Sequence, residues 1–276
     1  MALSVVSNGA SLTGQRHLNK SHSMMNKSLQ RLSSGLRING AMDDAAGLGV
    51  SERMRAQVRG LAQASRNAND GLSVVQTAEG AMGEISSILI RMRELSVQSA
   101  SDTITDTERG YLDTEFKDMI SEIDRITDST KFNGNTLIDG TYAANGLDFQ
   151  VGFESGTAFK IEVKIADVDS TALAINTNDV ANKANANTAM GALDAALDTL
   201  NTARANLGSK GNRLVAAGSA VDVMREGISA ANSRIRDTDI AAETSNMSRA
   251  QVLMQAGTSM LAQANSQPQL ALSLLG

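Results

Sequence analysis

The chain has no cysteine, no tryptophan, two tyrosines, five phenylalanines and a single proline, Pro268, in 276 residues. Without cysteine there is no disulfide and no thiolate metal site. Aromatic residues are 3% of the chain, and much of its 42% hydrophobic content is alanine. Such a core is thin and suits close helix–helix contact better than a bulky globular interior. Before Pro268 no residue breaks a helix for want of a backbone N–H. No run approaches the roughly 18 consecutive apolar residues of a membrane helix. The opening Met1-Ala2-Leu3-Ser4-Val5-Val6-Ser7-Asn8-Gly9 lacks a basic segment and a long apolar stretch, so it does not read as a cleaved secretory signal. The net charge of −5 offers no electrostatic reason to expect nucleic acid.

Signatures of catalysis are also missing. There is no phosphate-binding G-x-x-x-x-G-K-[ST] loop, no zinc spacing and no nucleophile elbow. His17 and His22, the chain's two histidines, lie on a Ser/Asn/Lys-rich segment and read as exposed polar residues. Asp43 and Asp44 resemble paired carboxylates. As neighbours at the start of an apolar-periodic segment they read instead as helix caps, where a negative charge meets the positive end of the macrodipole. No metal or cofactor is expected.

What is present is helical periodicity. Leu193, Leu200, Leu207, Leu214, Val221, Ile228 and Ile235 recur at intervals of seven. Ala196, Ala203, Ala217, Met224 and Ala231 fill the intermediate seam, with Lys210 as its polar break. This pattern predicts one helix of roughly 45 residues packed along another. Leu61, Ala64, Ala68, Leu72, Val75, Ala78, Met82, Ile85, Leu89 and Met92 form a second seam, in a segment reaching about Ala100. Gly71 and Gly80 lie within it and are expected to admit close approach of a neighbouring helix. Thr105-Asp106-Thr107-Glu108 matches a capping box. It opens a shorter helix with Leu112, Phe116, Met119, Ile123 and Ile126 inward, closed by a turn at Phe132-Asn133-Gly134-Asn135.

The two ends carry stripes of their own. Leu18, Met25, Leu29, Leu32 and Leu36 mark a helix to about Ile38. Met247, Ala250, Met254, Gly257, Leu261 and Ala264 mark another, which Pro268 is expected to end, followed by an apolar tail from Leu270 to Leu275. Between them the period changes once. Leu147, Phe149, Val151 and Phe153, then Phe159, Ile161, Val163 and Ile165, alternate with polar residues or glycine, predicting a β-hairpin over 147–165 whose aromatics pack on helices. The stretch 167–187, rich in Asp, Asn, Thr and Ala, reads as a surface connection. A pore-forming toxin would share long helices and a hairpin, but Asp148, Lys160, Glu162 and Lys164 make this hairpin too polar to enter a bilayer. The fold class expected is mainly α, an elongated antiparallel helical bundle or coiled coil with one β-hairpin.

Several runs resemble bacterial flagellins, the subunits of the flagellar filament. They are RLSSGLRINGAMDDAAGLGVSERMRAQVRGL from Arg31 to Leu61, QASRNANDG to Gly71, QTAEGAM to Met82, and the run from Ser233 to Gly276 that begins SRIRDTDIAAETSNMSRAQVLMQAGTSMLAQANSQP. The resemblance implies a homo-oligomer, a helical filament of many copies used as a propeller for swimming. It implies export unfolded through the flagellar type III system, without a cleaved signal peptide, and polymerisation at the distal tip. The partners it implies are an export chaperone, a filament cap and hook–filament junction proteins, with no membrane insertion. Residues 1–36 and 240–276 become inner-tube helices forming an inner coiled-coil layer, with Leu18, Met25, Leu29, Leu32, Leu36, Met247, Ala250, Met254 and Leu261 at their contacts. Residues 37–43 and 236–239 become connecting segments, and 44–235 the helical-bundle domain. Little chain between Gly140 and Met190 is left for outer domains, so a thin, smooth filament is expected. The run Arg91-Met92-Arg93-Glu94-Leu95 matches the pattern that Toll-like receptor 5 recognises in flagellins. The implied receptor patch is Arg91, Glu94 and Leu95 with Glu115, although Ile90 replaces the usual glutamine.

Overall fold

The computed structural model describes residues 8–273, with side chains over 8–266. Helices α1 (Gly9–Ser34), α2 (Ala45–Ser99) and α3 (Asp106–Ser129) come first. Strands β1 (Lys131–Phe132) and β2 (Asn135–Thr136), helix α4 (Thr141–Ala144), and strands β3 (Leu147–Gln150) and β4 (Lys160–Val163) follow. Helices α5 (Lys183–Arg236) and α6 (Ile240–Ser273) complete the chain. Two compact units result: Gln57–Glu226, and Met1–Ala56 with Gly227–Gly276. The boundaries fall inside α2 and α5 rather than at the connecting segments 37–43 and 236–239.

The unit Gln57–Glu226 holds a continuous core. Every residue of the predicted α2 seam from Leu61 to Met92 is buried except Leu72, which is partly so. From α3 come Phe116, Ile120 and Ile123, and from α5 Leu193, Ala196, Leu200, Ala203, Leu207 and Leu214. The heptad on α5 persists in one of its two sets of positions and not in the other. Leu193, Leu200, Leu207, Leu214 and Val221 are buried as the heptad predicts, but in the intermediate set Gly211 is buried in place of Lys210, and Met224 is 47% exposed. The reason is geometric: a straight helix of 3.6 residues per turn drifts about 20° per heptad, so the inward position slips by one residue after a few repeats. Helix α5 also begins earlier than expected, at Lys183 inside the predicted connection, and runs for 54 residues where roughly 45 were expected.

Local signals set the helix starts and turns. The Thr105 hydroxyl accepts from the Glu108 N–H while the Glu108 carboxylate accepts from the Thr105 N–H, completing the capping box. Asp44 Oδ1 accepts from Gly47 N–H at 2.8 Å and caps α2. Asn133 and Gly134 adopt φ of 49° and 86°. This is the left-handed geometry of a two-residue hairpin turn, and it pairs β1 with β2, a pairing not expected from the turn signal alone.

The hairpin forms as expected, with Leu147 opposite Val163 and Gln150 opposite Lys160. Its aromatics do pack on helix α2. A Cβ built at Gly71 would lie 3.0 Å from the Phe149 ring and 3.2 Å from Leu214 of α5, and one at Gly60 would lie 3.1 Å from Phe153 Cβ. Gly80 contradicts its reading, because nothing lies within 4 Å of a Cβ there.

The stretch 167–187 is more than a surface connection: part of it is exposed, and part is anchored in the core. Val168, Ile175, Val180 and Ala186 are fully buried. Its backbone is held by α3: Asp124 accepts from Ser170 N–H at 2.9 Å, and Asp113 accepts from Val180 N–H at 3.0 Å. Ser99 Oγ at the end of α2 donates to the Val180 carbonyl at 2.6 Å. Composition pointed outward because the apolar residues are sparse, but fixed acceptors on a neighbouring helix let the polar backbone go inside.

Candidate assembly surfaces

Helices α1 and α6 pair antiparallel. Along α1 the inward residues are Ser11, Gly14, Leu18, Ser21, Met25, Ser28 and Leu32, and along α6 Glu243, Met247, Ala250, Met254, Gly257, Leu261 and Ala264. Both sets step by three and four, the spacing of a coiled-coil seam. Two contacts are reciprocal. Leu261 Cδ1 lies 3.3 Å from a Cβ built at Gly14, and Leu18 Cδ1 lies 3.3 Å from one built at Gly257. Each leucine thus fills the gap left by a glycine on the facing helix. Gly14, a poor helix former, is kept for close packing.

A polar contact sits at the other end of the seam. Ser28 Oγ donates to Glu243, which is 7% exposed, and Arg31 Nη1 reaches the same carboxylate at 3.5 Å. Asp239 caps α6 by accepting from Ala242 N–H at 3.0 Å. Helix α1 stops at Ser34 because Gly35 takes φ 71°, a left-handed cap. Leu36, expected on the α1 stripe, therefore lies beyond the helix and bridges Asp237 in an extended pairing. Lys27 and Asp43 meet at 2.9 Å. That ammonium, with the Asn39 N–H, holds the Asp43 carboxyl below the usual carboxylate range.

Leu18, Met25, Leu32, Met247, Ala250, Met254 and Leu261 lie on the faces along which α1 and α6 of the one chain pair. Leu29 is different: it is 46% exposed and Ser28 takes the inward position. From that position the Ser28 hydroxyl reaches Glu243 across the pair. Leu29 belongs to a second, exposed apolar set with Leu12 and Met24 on α1 and Ile240, Val252, Leu253 and Met260 on α6. These residues lie outside the heptad positions, on more than one face of each helix, with Val252 opposite the seam of α6. An open groove of about 460 Å³ lies beside the pair, lined by Leu18, Asn19, His22, Met254, Gln255 and Thr258.

On the other unit, Arg91 of α2 donates to Glu94 at 3.0 Å and to Glu115 of α3 at 3.0 Å. These carboxylates, Glu115 foremost, raise the Arg91 pKa above its ordinary value. Arg91, Glu94 and Glu115 therefore form one surface cluster, with Ile90 half-exposed beside it. Leu95 does not join them: it is fully buried in the core, because the α2 seam continues from Met92 to Leu95 at a spacing of three. Among the described residues no cluster of His, Cys, Asp and Glu is arranged to hold a metal ion, and no helix is long and apolar enough to cross a membrane.

Residues 5–143 match the family model for the bacterial flagellin N-terminal helical region, and residues 190–275 match the one for the C-terminal helical region. The chain belongs to the bacterial flagellin family. It is similar to the flagellin of Halalkalibacterium halodurans, 46% identical over 249 residues that cover 90% of this chain and 91% of that one. It is 40% identical to the flagellar filament 33 kDa core protein of Treponema phagedenis, over 97% of this chain and 98% of that one. Among solved structures, Bacillus cereus flagellin superposes with a TM-score of 0.51 at 32% identity, covering 56% of this chain and 88% of that one. The alignment with polar flagellin A of Vibrio parahaemolyticus runs over 378 positions against 276 residues here, so that flagellin carries sequence this one lacks. As a flagellin the chain is a structural filament subunit and not an enzyme.

Proposed function

We propose that this flagellin is exported unfolded through the flagellar type III system and polymerises at the distal tip of the growing filament, outside the cell. An export chaperone, a filament cap and the hook–filament junction proteins are its partners on that route. The α1–α6 pair, within residues 1–36 and 240–276, forms the inner layer. Residues 44–235 form the layer around it, joined through 37–43 and 236–239. The observation that carries this reading is the second apolar set on the pair. Seam packing uses one face of each helix, while Leu12, Met24, Leu29, Val252, Leu253 and Met260 stay more than 40% exposed. Large apolar side chains left exposed on more than one face of a helix pair give it surface to bury against further copies of the chain. Contacts that repeat without closing produce an open filament.

The test separates the two faces. Leu253→Glu places a charge where only a neighbouring copy would bury it, and an unpaired buried charge costs several kcal/mol. Sedimentation and electron microscopy after salt-induced polymerisation should show monomers, with helix content by circular dichroism unchanged. Leu261→Glu should lower helix content as well, since Leu261 fills the gap at Gly14. Wild-type polymerisation of Leu253→Glu would refute the assignment of this face.

The exposed Arg91–Glu94–Glu115 cluster supports recognition by Toll-like receptor 5. In this reading Arg91 makes the contact and Leu95 only supports the helix from inside. Arg91→Ala should then weaken signalling in a reporter-cell assay far more than Ile90→Gln changes it.

A further inference from the structure

Helix α6 runs from Ile240 to Ser273 and so passes through Pro268 without stopping. Proline has no N–H to give to the carbonyl four residues earlier, and in a helix interior it normally breaks or kinks the chain. The carbonyl left without its helical donor is that of Ala264. Asn8 supplies the missing bond: its Nδ2 donates to Ala264 O at 2.8 Å, across 256 residues of sequence. The same side chain caps α1, with Oδ1 accepting from Ser11 N–H at 3.0 Å. Ser11 Oγ in turn donates to Asn265 Oδ1 at 2.8 Å.

We infer that Asn8 is a positioning residue that makes the helical continuation of α6 beyond Ala264 conditional on its pairing with α1. A lone α6 would expose an unpaired carbonyl at Ala264 and have reason to stop before Pro268, as such sequences usually do. Docked against α1, it receives a side-chain amide where its own backbone has none. One asparagine therefore finishes two helices, starting α1 with its oxygen and carrying α6 onward with its nitrogen.

Asn8→Asp separates these roles. Aspartate is an equally good N-cap acceptor, so α1 keeps its start. It has no N–H to donate to Ala264 O. Hydrogen–deuterium exchange of the full chain, read on peptides covering 265–273, is expected to quicken about fivefold in Asn8→Asp, the factor that one hydrogen bond is worth. In the background of Pro268→Ala, residue 268 again carries an N–H for Ala264, and Asn8→Asp should change exchange there little. Three results would each overturn the inference: equal acceleration with and without Pro268, no acceleration by Asn8→Asp in the Pro268 chain, or exchange of 265–273 at random-coil rates in the unsubstituted protein.

Discussion

The ring of Phe149 lies directly on Gly71: a Cβ there would stand 3.0 Å from its Cγ and Cδ1. The β3–β4 hairpin can settle on α2 because this position has no side chain. Gly71→Ala should therefore destabilise the protein by about 1–3 kcal/mol through overpacking. Gly80→Ala, in the same helix with open space around it, should stabilise by up to about 1 kcal/mol from helix propensity alone. Denaturant unfolding of the two variants checks this, and the prediction fails if they shift in the same direction.

Arg109, 6% exposed, ties off the end of α2. Its guanidinium donates to the carbonyls of Ser99, of Ser101 at 2.9 Å and of Ile104 at 3.1 Å. Three carbonyls at one planar fork are a geometry that an ammonium does not reproduce. Arg109→Lys should cost about 2 kcal/mol although it keeps the charge. Thermal unfolding measures it, and a loss confined to Arg109→Ala would show that charge rather than the fork matters.

Asp113 holds the Val180 N–H with one oxygen and Lys117 with the other, the latter at 2.6 Å. The lysine is largely exposed and the backbone N–H is not. Asp113→Ala should cost about 2 kcal/mol because it strands a buried donor. Asp113→Asn keeps an acceptor and should cost less than half of that. Equal losses in urea unfolding would mean that the ion pair, not the backbone bond, anchors this segment.

Acid should weaken the fold. Hydrogen bonds hold several carboxyls below their ordinary range: Asp102 by Lys183, Glu108 by the Thr105 N–H, Glu122 by Arg125, Asp139 by Thr136 and Asp194 by Arg93. A group whose folded pKa is depressed contributes stability that is complete above its unfolded pKa and is lost as pH falls through the folded value. The melting temperature should stay flat down to about pH 5 and fall below about pH 4. Glu108→Gln should make that fall shallower. A melting temperature constant from pH 5 to pH 3 would contradict the assignment.

The limits of sequence reading are visible at particular residues. Helix seams were legible because apolar side chains at steps of three and four record which face is buried, as in α2 from Leu61 to Met92. The slip from Lys210 to Gly211 was not, because a strict heptad template ignores the drift of a 3.6-residue helix at the intermediate positions. Leu29 and Leu95 show the reverse limit. Leu29 sits four residues from Met25 yet lies exposed while Ser28 faces α6, whereas Leu95 follows the spacing of its own seam into the core.

The sequence alone determined what depends on residues within about four positions of each other: the capping box at Thr105 and Glu108, the cap at Asp44, the Asn133–Gly134 turn, the apolar stripes, and the long runs that mark a flagellin. Tertiary structure decided what depends on a distant partner. The polar stretch 167–182 is anchored to the core at Ser170 and Val180 because Asp124 and Asp113 accept their N–H groups. Helix α6 passes Pro268 with a donor supplied by Asn8. In both places the local pattern records a backbone group without a partner, and where that group finds one is settled only when remote elements pack together.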